Sequence, residues 1–199
     1  MRLRTKYLIA NLTRKDFDSL QVLQKVGGGL GVKLSPEQWE QFAWLWYESL
    51  GHCARIEVDL ARTLDTLKRM GLKLGIVSNT FVNRASLERQ LRELGLLDFF
   101  SMQVYSYELH VRKPSPEIFR IAADRIRERA ESILFVGDRI DNDIRPALAS
   151  GMRAALKEAY TNEGRKTPDT ALRIRRLAEL PALIERINAA QAPAASMPT

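Results

Sequence analysis

The chain has 199 residues, 45% of them hydrophobic and 28% charged, which is enough apolar material for a buried core and excludes general disorder. No run of about 18 apolar residues reads as a membrane span, and the short apolar stretch Tyr7–Leu12 behind a basic start lacks a secretory cleavage pattern. A lone Cys53 excludes a disulfide framework and a Cys-rich metal site and suits a cytoplasmic setting, while the net charge of +7 is scattered without interleaved aromatics and reads as a solvated Arg-rich surface.

In chain order, residues 1–56 read as helical. The clearest start is Ser35-Pro36-Glu37-Gln38, with Ser35 as N-cap, Pro36 at the first helical position and Gln38 closing a capping box. Trp39, Phe42, Ala43, Trp46 and Leu50 recur at helical spacing up to Gly51. Trp44 and Tyr47 lie partly off that stripe and read as packing residues. Gly27-Gly28-Gly29 lacks the Lys-Ser/Thr of a phosphate loop and reads as a hinge or turn.

From about residue 59 helices alternate with short strands. Leu60, Leu64 and Leu67 predict a helix ending at Gly71, followed by a strand at Leu74–Val77. Leu87, Leu91 and Leu94 predict the next helix, then Met102–Tyr105 a strand, then Phe119, Ala122, Ala123 and Ile126 a helix opened by Ser115-Pro116. Ile133–Val136 is the strongest strand, followed by a short helix over 144–150, a strand at Ala154–Leu156 and a last helix through Leu183, Ile184 and Ile187. The alternation predicts an α/β fold, a parallel sheet flanked by helices. The division expected is a helical part over 1–56, an α/β core over 57–188 and an Ala/Pro/Ser-rich flexible tail over 189–199.

Ligands of open parallel sheets bind beyond the carboxyl ends of the strands, which selects three places. Ser78-Asn79-Thr80 offers a hydroxyl and an amide to an anionic oxygen, and is also ordinary turn chemistry. Arg112-Lys113-Pro114 offers a cation to phosphate or to a carboxylate. Gly137-Asp138 through Asp143 brings carboxylates to one crevice, which suits Mg²⁺; the plainer reading is that Asp141, Asn142 and Asp143 cap the next helix. His52 and His110 have no metal-ligand spacing and read as loop or surface histidines.

The order of Gly75-Ile76-Val77-Ser78-Asn79-Thr80, Arg112-Lys113-Pro114-Ser115-Pro116-Glu117-Ile118-Phe119 and Phe135-Val136-Gly137-Asp138 through Asp143 resembles the haloacid dehalogenase-like (HAD) hydrolase superfamily, mostly phosphatases. The resemblance covers residues 57–187 or so and implies a Rossmann-like sheet with a helical cap, the segment before residue 57 being part of that cap. It implies that Ser78 and Asn79 bind the phosphoryl group, that Lys113 bridges it to the nucleophile, and that Asp138 and Asp143 hold Mg²⁺. The function it implies is hydrolysis of a phosphate monoester on a small phosphorylated metabolite. A member without turnover, kept as a binding or regulatory module, and a nucleic-acid-binding protein are the alternatives.

One departure stands out. The family's nucleophile is the first Asp of Asp-x-Asp-x-Thr after an apolar strand, and here only Asp16-Phe17-Asp18 offers itself, preceded by Thr13-Arg14-Lys15. Asp16 fits an ordinary helical segment as well, so no nucleophile is identified, and the expectation is a chain shortened at its N-terminus. That reading expects weak Mg²⁺ binding, negligible turnover, and a sheet with a vacant central position. The Tyr7–Leu12 segment or closure of the two flanking strands would be needed to repair it; otherwise marginal stability or dimerisation follows.

Overall fold

The structure is a computed structural model and describes residues 16–51 and 55–190. Tyr7–Leu12, His52, Cys53 and most of the tail lie outside the described residues.

Two helices come first, α1 (Ser19–Gly29) and α2 (Pro36–Gly51). Asp18 caps α1, its carboxylate accepting from the Leu20 N–H at 2.8 Å. The triple glycine is not a turn, as the sequence suggested, but the last turn of α1. Tertiary packing overrides the poor helix propensity of glycine here, because the Trp39 indole lies where a Cβ of Gly27 would sit, 2.3 Å from its nearest ring carbon. The predicted capping box of α2 is present: the Ser35 N–H donates to Gln38 Oε1 at 2.8 Å, and the Gln38 N–H to Ser35 Oγ at 3.3 Å.

The buried face of α2 differs from the predicted stripe. Trp39 and Ala43 are buried, but Trp44 is the other buried residue at 4% exposure, while Phe42 and Leu50 stand 45% and 54% exposed. The reason is the partner. α2 packs on α4 (Arg84–Glu93), where the Arg89 guanidinium covers the Trp44 ring at 4.2 Å from its centroid. Gln90 accepts from the Tyr47 hydroxyl and donates to the Gly51 carbonyl.

The α/β part runs α3 (Leu60–Arg69), β1 (Gly75–Ser78), α4, β2 (Met102–Tyr105), α5 (Ser106–Leu109), α6 (Pro116–Ile126), β3 (Leu134–Gly137), a π-turn at Ile140–Ile144, α7 (Arg145–Ala149), β4 (Arg153–Lys157), β5 (Leu172–Ile174) and α8 (Leu180–Ala189). The strands and helices read from the sequence are there, and β5 is an addition. All strand pairs are parallel. They form two sheets, β1-β2 and β3-β4-β5, and β1 and β3 are not paired with each other. Closure of those two strands on one another therefore does not occur.

Side chains alternate across a strand, and β4 uses both faces. Ala154 and Leu156 join the larger core with Val104, Ile118, Phe119, Ala122, Ile140, Ile144 and Ala147. Ala155 points to a second cluster with Leu67, Ile174, Leu180 and Leu183. Helices α6 and α7 thus cover one face and α3 and α8 the other, which is the layering of a Rossmann-like α/β fold. No helix among the described residues is long and apolar enough to cross a membrane.

Candidate functional site

The carboxyl ends of β1 and β3 bring Ser78, Lys113, Asp138 and Asp143 to one edge. β1 ends at Ser78 and β3 at Gly137. The loop between α5 and α6 is drawn to β1 by Asn79, whose side-chain NH₂ donates to the Lys113 carbonyl and whose Oδ1 accepts from the Lys113 N–H, both at 2.8 Å. The Asn79 amide is thereby engaged with the backbone that carries the lysine, while the Ser78 hydroxyl stands at the carboxyl end of β1.

Lys113 ties the two sheets. Its ammonium donates to the Val77 carbonyl at 3.0 Å and lies 2.7 Å from Asp143 Oδ1, the side chains being 13% and 5% exposed. The Asp143 contact is an ion pair without hydrogen-bond alignment. The lysine also sits 5.4 Å from the centre of the Phe135 ring. The second Asp143 oxygen accepts from the Arg139 N–H at 3.0 Å. Gly137 is required beside it, because a Cβ there would meet the Asp143 side chain at 2.5 Å. Asp138 is oriented from the far side: one carboxylate oxygen accepts from the Thr161 hydroxyl at 2.6 Å, and its carbonyl accepts from Asn162 at 2.8 Å. Thr161 and Asn162 lie more than 20 residues downstream and had no signal in the sequence.

A divalent cation can be tested against these donors. No group of three or more His, Cys, Asp or Glu side chains converges among the described residues. Asp138 has one carboxylate oxygen outside its bond to Thr161, while both Asp143 oxygens are engaged by Lys113 and the Arg139 N–H. This fits a hard cation such as Mg²⁺, which takes one or two carboxylates and completes its shell with water and phosphate oxygens. It does not fit an all-protein cage.

Asp16 lies elsewhere in the network. It is buried, accepts a hydrogen bond from the Ser106 hydroxyl and pairs with Arg112 at 3.3 Å. Ser106 also accepts from the Thr80 N–H at 2.9 Å, and the Asp16 carbonyl meets the His110 ring at 3.3 Å. Asp16 thus joins the loops that carry Ser78 and Lys113, with its own two oxygens committed. His110 is an exposed loop residue with φ 52°, in line with its sequence reading.

A family model described as haloacid dehalogenase-like hydrolase matches residues 21–151. A glyceraldehyde 3-phosphate phosphatase from Methanopyrus kandleri is 43% identical over 94 residues, 47% of this chain and 40% of that protein. The haloacid dehalogenase-like hydrolase domain-containing protein 3 of Danio rerio is 36% identical over 132 residues, 66% of this chain and 46% of that protein. The chain thus spans less than half the length of these curated relatives. Among solved structures, a HAD phosphatase from Thermococcus onnurineus superposes with a TM-score of 0.60 at 25% identity, covering 91% of this chain and 79% of the other. The L-2-haloacid dehalogenase of Xanthobacter autotrophicus, 19% identical, shares the fold with a TM-score of 0.62 over 92% and 82% of the two chains.

Proposed function

Because the chain belongs to the haloacid dehalogenase-like hydrolase family, we propose that the edge formed by Ser78, Lys113, Asp138 and Asp143 serves hydrolysis of a phosphate monoester on a small phosphorylated metabolite. Relatives named as glyceraldehyde 3-phosphate phosphatase support that substrate class. The observation that carries the reading is Lys113, a largely buried ammonium fixed between the Val77 carbonyl and Asp143 at the strand ends. A cation held there is oriented before any anion arrives, so binding requires little reorganisation.

In this reading the Ser78 hydroxyl donates to one phosphoryl oxygen and Lys113 to another, and Asn79 acts by holding the Lys113 backbone. Mg²⁺ carried by Asp138, with Asp143 behind it, would offset negative charge on the phosphoryl oxygens. The reading divides the chain into a helical part over 1–56 and a phosphate-binding core over 57–188, working in the cytoplasm.

A second reading, a family member that binds without turnover, is favoured by one observation: both oxygens of Asp16 are engaged, by Ser106 and Arg112. An attacking carboxylate must have an oxygen open to phosphorus.

Calorimetric titration of residues 1–199 with inorganic phosphate and Mg²⁺ tests both readings. The expected result is weak Mg²⁺ binding that strengthens with phosphate, with phosphate binding lost in Lys113→Ala and weakened in Ser78→Ala, a change that breaks no ion pair. Absence of phosphate binding by the unaltered chain would refute the assignment of this edge. Mg²⁺-dependent phosphate release from glyceraldehyde 3-phosphate, abolished in Asp138→Asn, selects the hydrolase; binding without release selects the binding module.

A further inference from the structure

The loop after β4 is fastened to the turn that carries Asp138 and Asp143. Gly137 of β3 pairs with Leu156 of β4, so Asp138 and Lys157 are the next positions on two neighbouring strands. Asn162 is buried and spans both: its side-chain NH₂ donates to the Asp138 and Lys157 carbonyls, each at 2.8 Å, and its Oδ1 accepts from the Ala159 N–H at 3.4 Å. One rung of side-chain bonds thereby continues the strand ladder, and the short turn Tyr160–Asn162 is fixed against the end of β3. Arg165 adds a second attachment, donating to Asp141 Oδ2 at 2.9 Å.

Fixed in this way, Thr161 meets Asp138 side chain to side chain. Its hydroxyl lies 2.6 Å from Asp138 Oδ2 and 3.1 Å from the Asp138 carbonyl. A hydroxyl has one proton to give, and the shorter path leads to the carboxylate, at the length of a charge-assisted bond. Threonine is stiff about its first side-chain torsion, so the donor is held in place once the backbone is. Oδ2 of Asp138 is therefore engaged, while Oδ1 meets no hydrogen-bond donor among the described residues.

We propose that Thr161 is a positioning residue that limits Asp138 to ligation through one oxygen and thereby makes the site prefer Mg²⁺ to Ca²⁺. The inference rests on the reading of Asp138 as a cation ligand and narrows it to a choice of ion. Mg²⁺ demands near-ideal octahedral geometry, which a carboxylate meets through one oxygen, whereas the larger Ca²⁺ accepts a carboxylate through both oxygens and tolerates irregular shells. A hydroxyl that occupies Oδ2 withholds the second oxygen from Ca²⁺ and keeps the first in one orientation for Mg²⁺. Without that donor the carboxylate turns freely and offers both oxygens, so Mg²⁺ loses affinity relative to Ca²⁺.

The test does not depend on turnover. Magnesium and calcium chloride are titrated separately into isotope-labelled residues 1–199 in phosphate-free buffer, and the NMR shifts of the Gly137 and Asp138 amides give a dissociation constant for each ion. Urea denaturation checks that each variant is folded. The unaltered chain is expected to bind Mg²⁺ more tightly than Ca²⁺. In Thr161→Val, which keeps the branched shape and removes the donor, the Ca²⁺-to-Mg²⁺ ratio of dissociation constants is expected to fall by about three- to tenfold. Thr161→Ser returns the hydroxyl and is expected to keep the ratio within about twofold of the unaltered chain. Thr161→Ala replaces the first variant if that one does not fold. A merely structural role would weaken both ions alike. An unchanged ratio without the hydroxyl, a ratio that Thr161→Ser does not keep, or a preference for Ca²⁺ in the unaltered chain overturns the role of Thr161 and leaves the cation site standing. Failure of the unaltered chain to bind either ion, or binding unaffected by Asp138→Asn, overturns the reading of Asp138 and the inference with it.

Discussion

Tyr105 ends β2 fully inside the protein, and its hydroxyl has no hydrogen-bond partner among the described residues. Its ring makes a cation–π contact instead, with the Arg84 guanidinium 4.9 Å from the centroid. Burial pushes the Tyr105 phenol up to about 12, and burial does the same for its neighbour Tyr107. Because the folded value lies above the ordinary value of about 10, the neutral phenol favours the folded state. That contribution is complete below pH about 10 and is lost as pH rises through about 12. Tyr105→Phe keeps the ring over Arg84 and removes an unsatisfied donor, so stability at neutral pH is expected to rise by about 1 kcal/mol. The loss of stability between pH 10 and 12 becomes shallower, since only Tyr107 of the two then ionises. Urea denaturation across that range, beside absorbance titration of the phenols, measures both. A Phe variant less stable at pH 7 would mean that the hydroxyl has a partner after all. Residues of this kind were not legible in the sequence. Asp16 and Ser106 are 90 positions apart and Asp138 and Thr161 are 23 apart, and nothing in local pattern links them. That Ser78, Lys113, Asp138 and Asp143 come to one edge was legible, because strand ends and the loops beside them gather on one side of a parallel sheet.

At the scale of elements, the glycines of α1 separate propensity from packing. Gly27 and Gly28 are adjacent in one helix, yet a Cβ on Gly27 meets the Trp39 ring at 2.3 Å while one on Gly28 meets nothing within 4 Å. Gly28→Ala is therefore expected to stabilise the protein by up to about 1 kcal/mol through helix propensity and a less flexible unfolded chain. Gly27→Ala is expected to destabilise it by about 1–3 kcal/mol, because Trp39 must move out of its packed position. Thermal melts of the two variants give shifts of opposite sign; equal shifts would show that Trp39 does not rest on Gly27. The same contrast explains which elements the sequence revealed. The capping box at Ser35 and the apolar run of β3 are local and were readable. β5 was missed because it is three residues long with Arg173 at its centre, and is held by pairing with β4. The buried face of α2 was misread at Phe42, Leu50 and Trp44 because Arg89 and Gln90 of α4, about 45 residues away, select it.

Among the described residues of the whole molecule, two sheets share one core. Among the described residues β1 and β3 each have one hydrogen-bonded neighbour, whereas β4 has two. The strand whose both edges are paired is also the most deeply buried, with Ala154, Ala155 and Leu156 at 1% exposure or less, while every residue of β1 and β3 is half-buried or exposed. Yet Val77 of β1, Val104 of β2, Phe135 of β3 and Leu156 of β4 pack in one apolar cluster, and Lys113 links the Val77 carbonyl to Asp143 across the division. Hydrophobic continuity of this kind makes the two sheets unfold together, because neither can leave without exposing the other's core surface. Local opening follows a different rule and is set by how many backbone bonds and buried contacts a strand must break. One cooperative denaturation transition is therefore expected, together with unequal amide exchange. The amides of Ala154–Leu156 are expected to exchange only through global unfolding, and those of β1 and β3 with opening free energies lower by about 1–3 kcal/mol, the cost scale of the backbone bonds that β4 makes beyond theirs among the described residues. Hydrogen exchange followed by mass spectrometry on residues 1–199 resolves these strands. Protection of β1 and β3 equal to that of β4 would show that both are paired on their second edge, and two separate transitions would show that the shared cluster does not couple the sheets.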